Sequence, residues 1–380
     1  MRILYSHRTR SADGQRVHID ALTGALAALG HDVLIVGPEG TRRVGAPVPL
    51  DADAGGAPAG MPRLVHEAAE VAYGALAAAR LIRAGRGFRP DVLYERYNLF
   101  AHGAQAARGG LPWLLEVNAP LAEERARHGD LRLRRLAARS EARLWRGADA
   151  VLPVTRVLAR MVEQAGVPRG RIRVVPNGVD ERFSSADGGP IRARLGIEDA
   201  FVLGFTGFVR DWHGVELALR WLPRAPRAVL LLVGDGPHVP ALRAEAAALG
   251  VAERLIVTGT VQRGDVPAHV AAFDVALQPA ATAYASPLKL QEYMALGRAV
   301  LACDQPNIRE VVTDEESALL FPPKDEAAMH AALDRLAADE ALRARLGEAA
   351  RAVIRDRDLT WDGNARRVAR IAEGLIAARG

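Results

Sequence analysis

Short apolar runs alternate with helical segments twice over in this 380-residue chain, and that alternation constrains the fold more than any single residue does. Residues 2–6, 32–36, 91–94, 111–117, 150–154 and 173–176 read as strands, with helices over 14–29, 64–84 and 131–146 between them. Residues 44–62, rich in Gly, Pro and Ala, read as a loop. A strand can run parallel to its predecessor only through a crossover of a dozen or more residues, which a helix supplies. Such a series predicts a parallel sheet with helices on both faces. Residues 181–196 break the rhythm, and Ser184-Ser185-Ala186-Asp187-Gly188-Gly189-Pro190 reads as a linker. A second series follows, with strands at 201–205, 228–233, 254–257, 275–278 and 299–302. Helices fall near 214–222, 239–248 and 265–272, and further helices run to the end. The expected architecture is α/β: two doubly wound, Rossmann-like domains, as a length beyond one core also predicts.

Composition removes several functional classes. The chain is 49% apolar and 25% charged, ordinary for a globular protein. No run of 18 apolar residues occurs, so no transmembrane helix is expected. The opening Met1-Arg2-Ile3-Leu4-Tyr5-Ser6 reads as a strand and not as a signal peptide. The single cysteine, Cys303, sits in an apolar run and fits a buried residue in a reducing cytoplasm. Net charge is +5, but acids and bases alternate and aromatics make up only 5%, so no nucleic-acid partner is expected. Asp51-Ala52-Asp53 has the look of a metal-binding Asp-x-Asp but lacks a preceding strand, and no metal is expected there. Val233-Gly234-Asp235-Gly236-Pro237 lacks the Gly-x-Gly-x-x-Gly of dinucleotide loops.

The chemistry concentrates in Ser286-Pro287-Leu288-Lys289-Leu290-Gln291-Glu292-Tyr293, which follows an apolar strand and opens a helix that stops at Gly297. Serine suits the N-cap and proline the first helical position. A helix N-terminus beyond a strand's carboxyl end offers free N–H groups and a positive dipole end to a phosphate. Lys289 and Glu292, three apart, share a face. A cation suits a diphosphate, and a carboxylate accepts both hydroxyls of a ribose diol. Lys289 is one of only two lysines, with Lys324, among 50 basic residues. The compact ammonium is therefore a specific choice in a chain that otherwise uses arginine.

Val175-Pro176-Asn177-Gly178-Val179-Asp180, Gly207-Phe208-Val209-Arg210-Asp211-Trp212-His213-Gly214, Val233–Pro237 and Ser286–Glu292 together, in this order and spacing, resemble the family 4 glycosyltransferases of the group 1 type. These have the GT-B fold, two facing Rossmann-like domains with a cleft between them. The resemblance implies domains at 1–182 and 183–360, with the helix at 361–380 crossing back onto the first. It implies retaining transfer of a sugar from a nucleotide-diphosphate donor, UDP- or GDP-linked, with no bound metal or other cofactor. Arg210, Lys289 and Glu292 become the catalytic candidates: Arg210 and Lys289 for the diphosphate, Glu292 for the ribose. Asp13 and Gly14, in the first strand–helix turn, would approach the phosphates, and backbone near 260–263 the base. Asn118, His213, Gly234, Tyr284, Ser286, Pro287 and Leu288 complete the expected donor site.

Four positions depart from the family pattern: Tyr284 where a sugar-contacting glutamate is common, His213 and Phe208 where a phosphate lysine and an arginine are, and Asn118 for a donor-contacting histidine. A histidine beside a diphosphate is expected to have a raised pKa.

Glu95, Arg96 and Tyr97 end a first-domain strand and are candidates for the acceptor, which is expected to be a saccharide, a lipid-linked sugar or a small molecule. The basic helix 131–146, with arginines beside leucines and Trp145, suggests peripheral contact with anionic lipid at the inner face of the membrane. Cell-surface polysaccharide or glycoconjugate assembly is the expected setting. Two readings compete: a non-catalytic subunit that keeps the fold and assists a partner transferase, and a sugar-nucleotide epimerase of the same fold.

Overall fold

The computed structural model describes residues 1–9, 14–45 and 63–379. They form two compact units: Met1–Asn177 with Tyr284–Ser286 and Trp361–Gly380, and Gly178–Ala283 with Pro287–Thr360.

The first unit holds a six-stranded sheet made of β1 (Arg2–Ser6), β2 (Asp32–Gly37), β3 (Gly40–Arg43), β4 (Val92–Arg96), β5 (Trp113–Val117) and β6 (Ala150–Pro153), in the order β3-β2-β1-β4-β5-β6. All neighbours pair parallel except β3, which turns back antiparallel on β2. Its helices are α1 (Gly14–Ala28), α2 (Arg63–Phe88), α3 (Gly103–Ala107), α4 (Leu121–Arg127), α5 (Arg134–Gly147) and α6 (Arg156–Gln164). Every residue of β4, β5 and β6 is buried, so these strands read as mostly apolar runs without alternation, with Glu95, Arg96 and Glu116 as buried charges near their carboxyl ends.

The second unit repeats the plan. It has α7 (Gly189–Leu195), β7 (Phe201–Thr206), α8 (Val215–Trp221), β8 (Ala228–Val233), α9 (Val239–Ala248), β9 (Leu255–Val257), α10 (Val266–Ala271), β10 (Val275–Gln278), α11 (Leu288–Ala295), β11 (Ala299–Cys303), β12 (Leu319–Phe321), α12 (Glu326–Ala338) and α13 (Glu340–Asp356). The strand order is β12-β11-β10-β7-β8-β9, all parallel. Two such sheets in one chain are the GT-B plan. The last helix, α14 (Trp361–Ala377), packs on α1 of the first unit, where Trp361 meets the His18 ring edge-on at 4.7 Å.

One expected strand does not form. Residues 173–176 run beside β6, with Arg173 and Val175 donating to Val151 and Pro153 at 3.0 Å, but no regular ladder develops. Pro176 has no N–H to extend it. The sequence reading also omits β3, β12, α3 and α4, which are short, and in β3 polar. Of the loop read at 44–62, residues 46–62 lie outside the described residues, as does Asp51-Ala52-Asp53.

Candidate donor site and candidate acceptor residues

In the second unit the site grows from two glycine turns. Gly207 follows β7 with φ +115°, and Gly234 follows β8 with φ +138°. A Cβ on Gly234 would lie 2.2 Å from the Gly207 carbonyl oxygen, so only glycine lets the two turns touch. Backbone hydrogen bonds fasten them: Gly207 donates to Val233 at 2.9 Å and Val209 to Asp235 at 2.8 Å.

The space beside Gly207 is taken by Lys289, whose Nζ would be 3.3 Å from a Cβ there. The ammonium also lies 3.8 Å from the centre of the Phe205 ring, a cation–π contact. Lys289 sits in the first turn of α11. The N-cap of that helix is Pro287 and not Ser286, and no side chain caps it, so its first N–H groups have no side-chain acceptor. The Ser286 hydroxyl is engaged elsewhere: it accepts from the Asn177 N–H at 3.3 Å, while the Asn177 side chain donates to the Ser286 carbonyl at 2.6 Å. Proline at the cap leaves Leu288 as the first helical residue.

Burial pushes Lys289 down to about 7, against the opposing pull of Glu292. Burial pushes Glu292 up to about 7, opposed by Lys289 and Arg263 and assisted by Asp180. Both values fall near neutrality because desolvation of each group outweighs the attraction of the other's charge. The sequence reading names neither the Asp180 side chain nor that of Arg263, whose segment 260–263 it places at the base through backbone groups alone. Asp180 lay within a motif that carried the resemblance, and its position in that motif was the signal.

Arg210 is exposed, with its guanidinium over the Phe208 ring at 5.1 Å and no ion pair among the described residues. His213 lies in the turn between β7 and α8. Its Nδ1 accepts from the Arg210 backbone N–H at 3.0 Å, which leaves Nε2 to carry the proton. Burial, with Lys289 and Arg210 nearby, lowers its pKa to about 3 in the free protein, whereas the raised value is expected only beside a diphosphate. In the unliganded protein His213 is a neutral cap, its ring 4.0 Å from that of Trp212. The positive charge the site already holds keeps a further proton away.

In the first unit the expected residues divide. Asp13 lies outside the described residues; Gly14 opens α1 after β1. Asn118 donates to Glu116, and Arg96 is paired with the same carboxylate. Glu116 also accepts from His18 at 3.0 Å and Tyr94 at 2.7 Å. Burial would raise the Glu116 pKa, but His18 and Arg96 outweigh it and hold the group well below the usual carboxylate range. The Tyr97 hydroxyl donates to Glu141 at 2.9 Å. Arg96 and Tyr97 thus hold the domain together and are not presented to an acceptor, a correction to the strand-end reading. Physically, a guanidinium and a phenol at buried strand ends find internal partners first.

Tyr284 is likewise buried in the first unit's core. Its hydroxyl donates to Glu124, and its carbonyl accepts from the Thr155 hydroxyl at 2.8 Å. It stands with the first unit's packing and not with the Lys289–Glu292 pair, because a tyrosine's ring follows the apolar core. Glu95 alone of the three strand-end residues keeps an unpartnered oxygen among the described residues.

Two doubly wound, Rossmann-like sheets in one chain define an α/β protein of GT-B type. Known proteins agree on the family. A model described as "Glycosyltransferase Family 4" matches residues 12–183, and one described as "Glycosyl transferases group 1" matches 189–353. A D-inositol 3-phosphate glycosyltransferase of Frankia alni is 30% identical over 95% of this chain and 94% of its own. A GDP-mannose-dependent phosphatidylinositol monomannoside mannosyltransferase of Mycolicibacterium smegmatis is 29% identical, a match covering 62% of this chain and 65% of that one, just under two thirds of the relative. Among solved structures, sucrose-phosphate synthase from Thermosynechococcus elongatus superposes with a TM-score of 0.79 at 20% identity, covering all of both chains. The chain belongs to the family 4, group 1 glycosyltransferases.

Proposed function

We propose that the protein transfers a sugar with retention from a nucleotide-diphosphate donor, UDP- or GDP-linked, to a hydroxyl-bearing acceptor. The observation that carries this reading is the Lys289–Glu292 pair at the uncapped start of α11, beside the Gly207 and Gly234 turns. Breaking the anomeric bond develops negative charge on the leaving diphosphate. Lys289, Arg210 and the α11 N–H groups are placed to stabilise that charge, and preorganised electrostatics of this kind is often the largest catalytic term. Glu292 would take the ribose hydroxyls. In retaining front-face transfer the departing phosphate oxygen removes the acceptor's proton, so no side-chain base is assigned.

The GDP-mannose dependence in the mycobacterial relative's name favours a GDP-sugar, and the inositol 3-phosphate in the Frankia relative's name favours a polyol acceptor. Glycoconjugate assembly is the setting that the phosphatidylinositol monomannoside in the mycobacterial relative's name favours. The described helices include none long and apolar enough to cross a membrane. We assign membrane contact to α5 and the two residues preceding it, where Arg132, Arg134, Arg135, Arg139, Arg143 and Leu136 are all exposed. Pelleting with anionic vesicles at low and high salt tests it; salt-insensitive or absent binding removes the assignment.

The test of the function is a thermal-shift panel with UDP, GDP, ADP, CDP and dTDP, with and without EDTA, followed by assay of the sugar donors of whichever base binds. A ligand at 100 times its dissociation constant adds about 2.7 kcal/mol of stability. A shift with one nucleotide, unaffected by EDTA, supports the reading. No shift with any moves the balance to a partner-assisting subunit without transferase chemistry.

A further inference from the structure

The first unit contains a second pair of buried groups that the donor reading does not use. Glu95 is the fourth residue of β4, and His7 follows β1, its neighbour in the sheet. Both are buried, and both line one small cavity together with Arg8, Gly37, Tyr73 and Arg80. Gly37 is required for it: a Cβ there would be 2.6 Å from His7 Nε2.

The cavity's cations are already occupied. Arg8 donates to the carbonyls of Glu70 and Leu99 at 3.4 and 3.3 Å. Arg80 donates to the Tyr73 hydroxyl at 3.3 Å and the Pro38 carbonyl at 3.4 Å. By contrast, neither ring nitrogen of His7 and not Glu95 Oε2 has a hydrogen-bond partner among the described residues. Glu39 comes only to 3.8 Å from His7 and is held by Arg16 at 2.8 Å. Buried polar groups left unpaired are costly, and their normal resolution is a guest that supplies the missing bonds.

The guest can be specified. Burial pushes Glu95 up to about 8, against Trp113 and Arg8, and pushes His7 down to about 4. At neutral pH the cavity therefore presents an uncharged acid and an uncharged imidazole, each with a donor and an acceptor. An ion gains little there; a group that both donates and accepts gains most. The cavity is about 10 Å³, room for one water or one hydroxyl group. It lies at the carboxyl end of parallel strands, where ligands of doubly wound sheets bind.

We propose that His7 and Glu95 form a subsite for a single hydroxyl of the acceptor, selecting a ring polyol by that hydroxyl's position. The proposal rests on the transferase reading for calling the guest an acceptor, while its test reads binding and does not require turnover. Saturation-transfer NMR with millimolar D-mannose and myo-inositol, and with their single-deoxy analogues, is run on the wild type, Glu95→Gln and Glu95→Leu. UDP and GDP thermal shifts on the same samples report the fold and the donor site separately.

The expected result is that one deoxy analogue binds the wild type about tenfold more weakly than its parent. Glu95→Leu should erase that difference, Glu95→Gln should keep part of it, and nucleotide shifts should match the wild type. Failure of every polyol to bind the wild type overturns the proposal. So does equal discrimination in Glu95→Leu, which would leave the cavity to an ordered water. Polyol binding that follows this pattern without any nucleotide shift would sink the donor reading and leave the subsite standing.

Discussion

In the first unit Glu116 is met by His18, Tyr94, Arg96 and Asn118, whereas in the second the half-buried Lys289 and Glu292 feel each other's charge but make no side-chain hydrogen bond or ion pair among the described residues. Both regions put charge at the carboxyl end of a parallel sheet, but the consequences differ. The Glu116 network is satisfied and holds its charge at any ordinary pH. The Lys289–Glu292 pair is driven toward neutrality by the same burial. A closed network of donors makes structure; an under-partnered pair awaits a ligand that will complete it. Glu95 sharpens the contrast within one sheet. Side chains alternate along β4, so Tyr94 and Arg96 reach Glu116 on one face while Glu95 points to the other, without their help.

Breaking each region separately tests this. Glu116→Gln should have the largest effect on the fold, since it strips the buried Arg96 of its counter-charge. A loss of about 3–5 kcal/mol is expected in denaturant unfolding, with little change from a like replacement at Glu292. Lys289→Ala should do the opposite, leaving the melting temperature near wild type and lowering kcat/KM about 10²–10³-fold. Lys289→Arg should not rescue it, because the forked guanidinium does not fit beside Gly207 as the ammonium does. Gly234→Ala should affect both readouts, costing about 1–3 kcal/mol of stability from backbone strain and weakening nucleotide binding as the two turns part.

Smaller effects appear as pH dependence. A bound diphosphate favours the ammonium form of Lys289, raising its pKa above the free value of about 7. Binding then takes up protons above pH 7, and affinity falls as pH rises, by at most about tenfold per unit. Ribose hydroxyls favour the ionised form of Glu292, so below pH 7 binding releases protons and weakens again. Calorimetry in buffers of different ionisation heat should show proton uptake at pH 8 and release at pH 6; none at either would break the pair's assignment. The alkaline limb belongs to Lys289 and not to His213, which is already neutral. The smallest change is expected at Glu95. Its pKa is raised in the folded state, so the folded protein binds the proton more tightly and this group's contribution to stability falls as pH rises from about 4.5 to about 8. Glu95→Gln should therefore gain in melting temperature over the wild type as pH rises, more at pH 9 than at pH 6 and least near pH 4.

The sequence by itself determined the periodic framework: two series of buried strands and crossover helices, and a helix start carrying Lys289 and Glu292. These are local signals, because a parallel strand buried on both faces must be apolar along its length, and a helix opening needs its own residues. Only the tertiary structure decided which polar groups are left for function. Arg96, Tyr97 and Tyr284 look as available in the sequence as Glu95 does, yet three of them meet Glu116, Glu141 and Glu124, residues 20, 44 and 160 positions away. His213 looked like a cation until folding placed it beside Lys289 and Arg210. Protonation and partnership depend on desolvation and on neighbours distant in sequence, and those exist only once the chain has closed on itself.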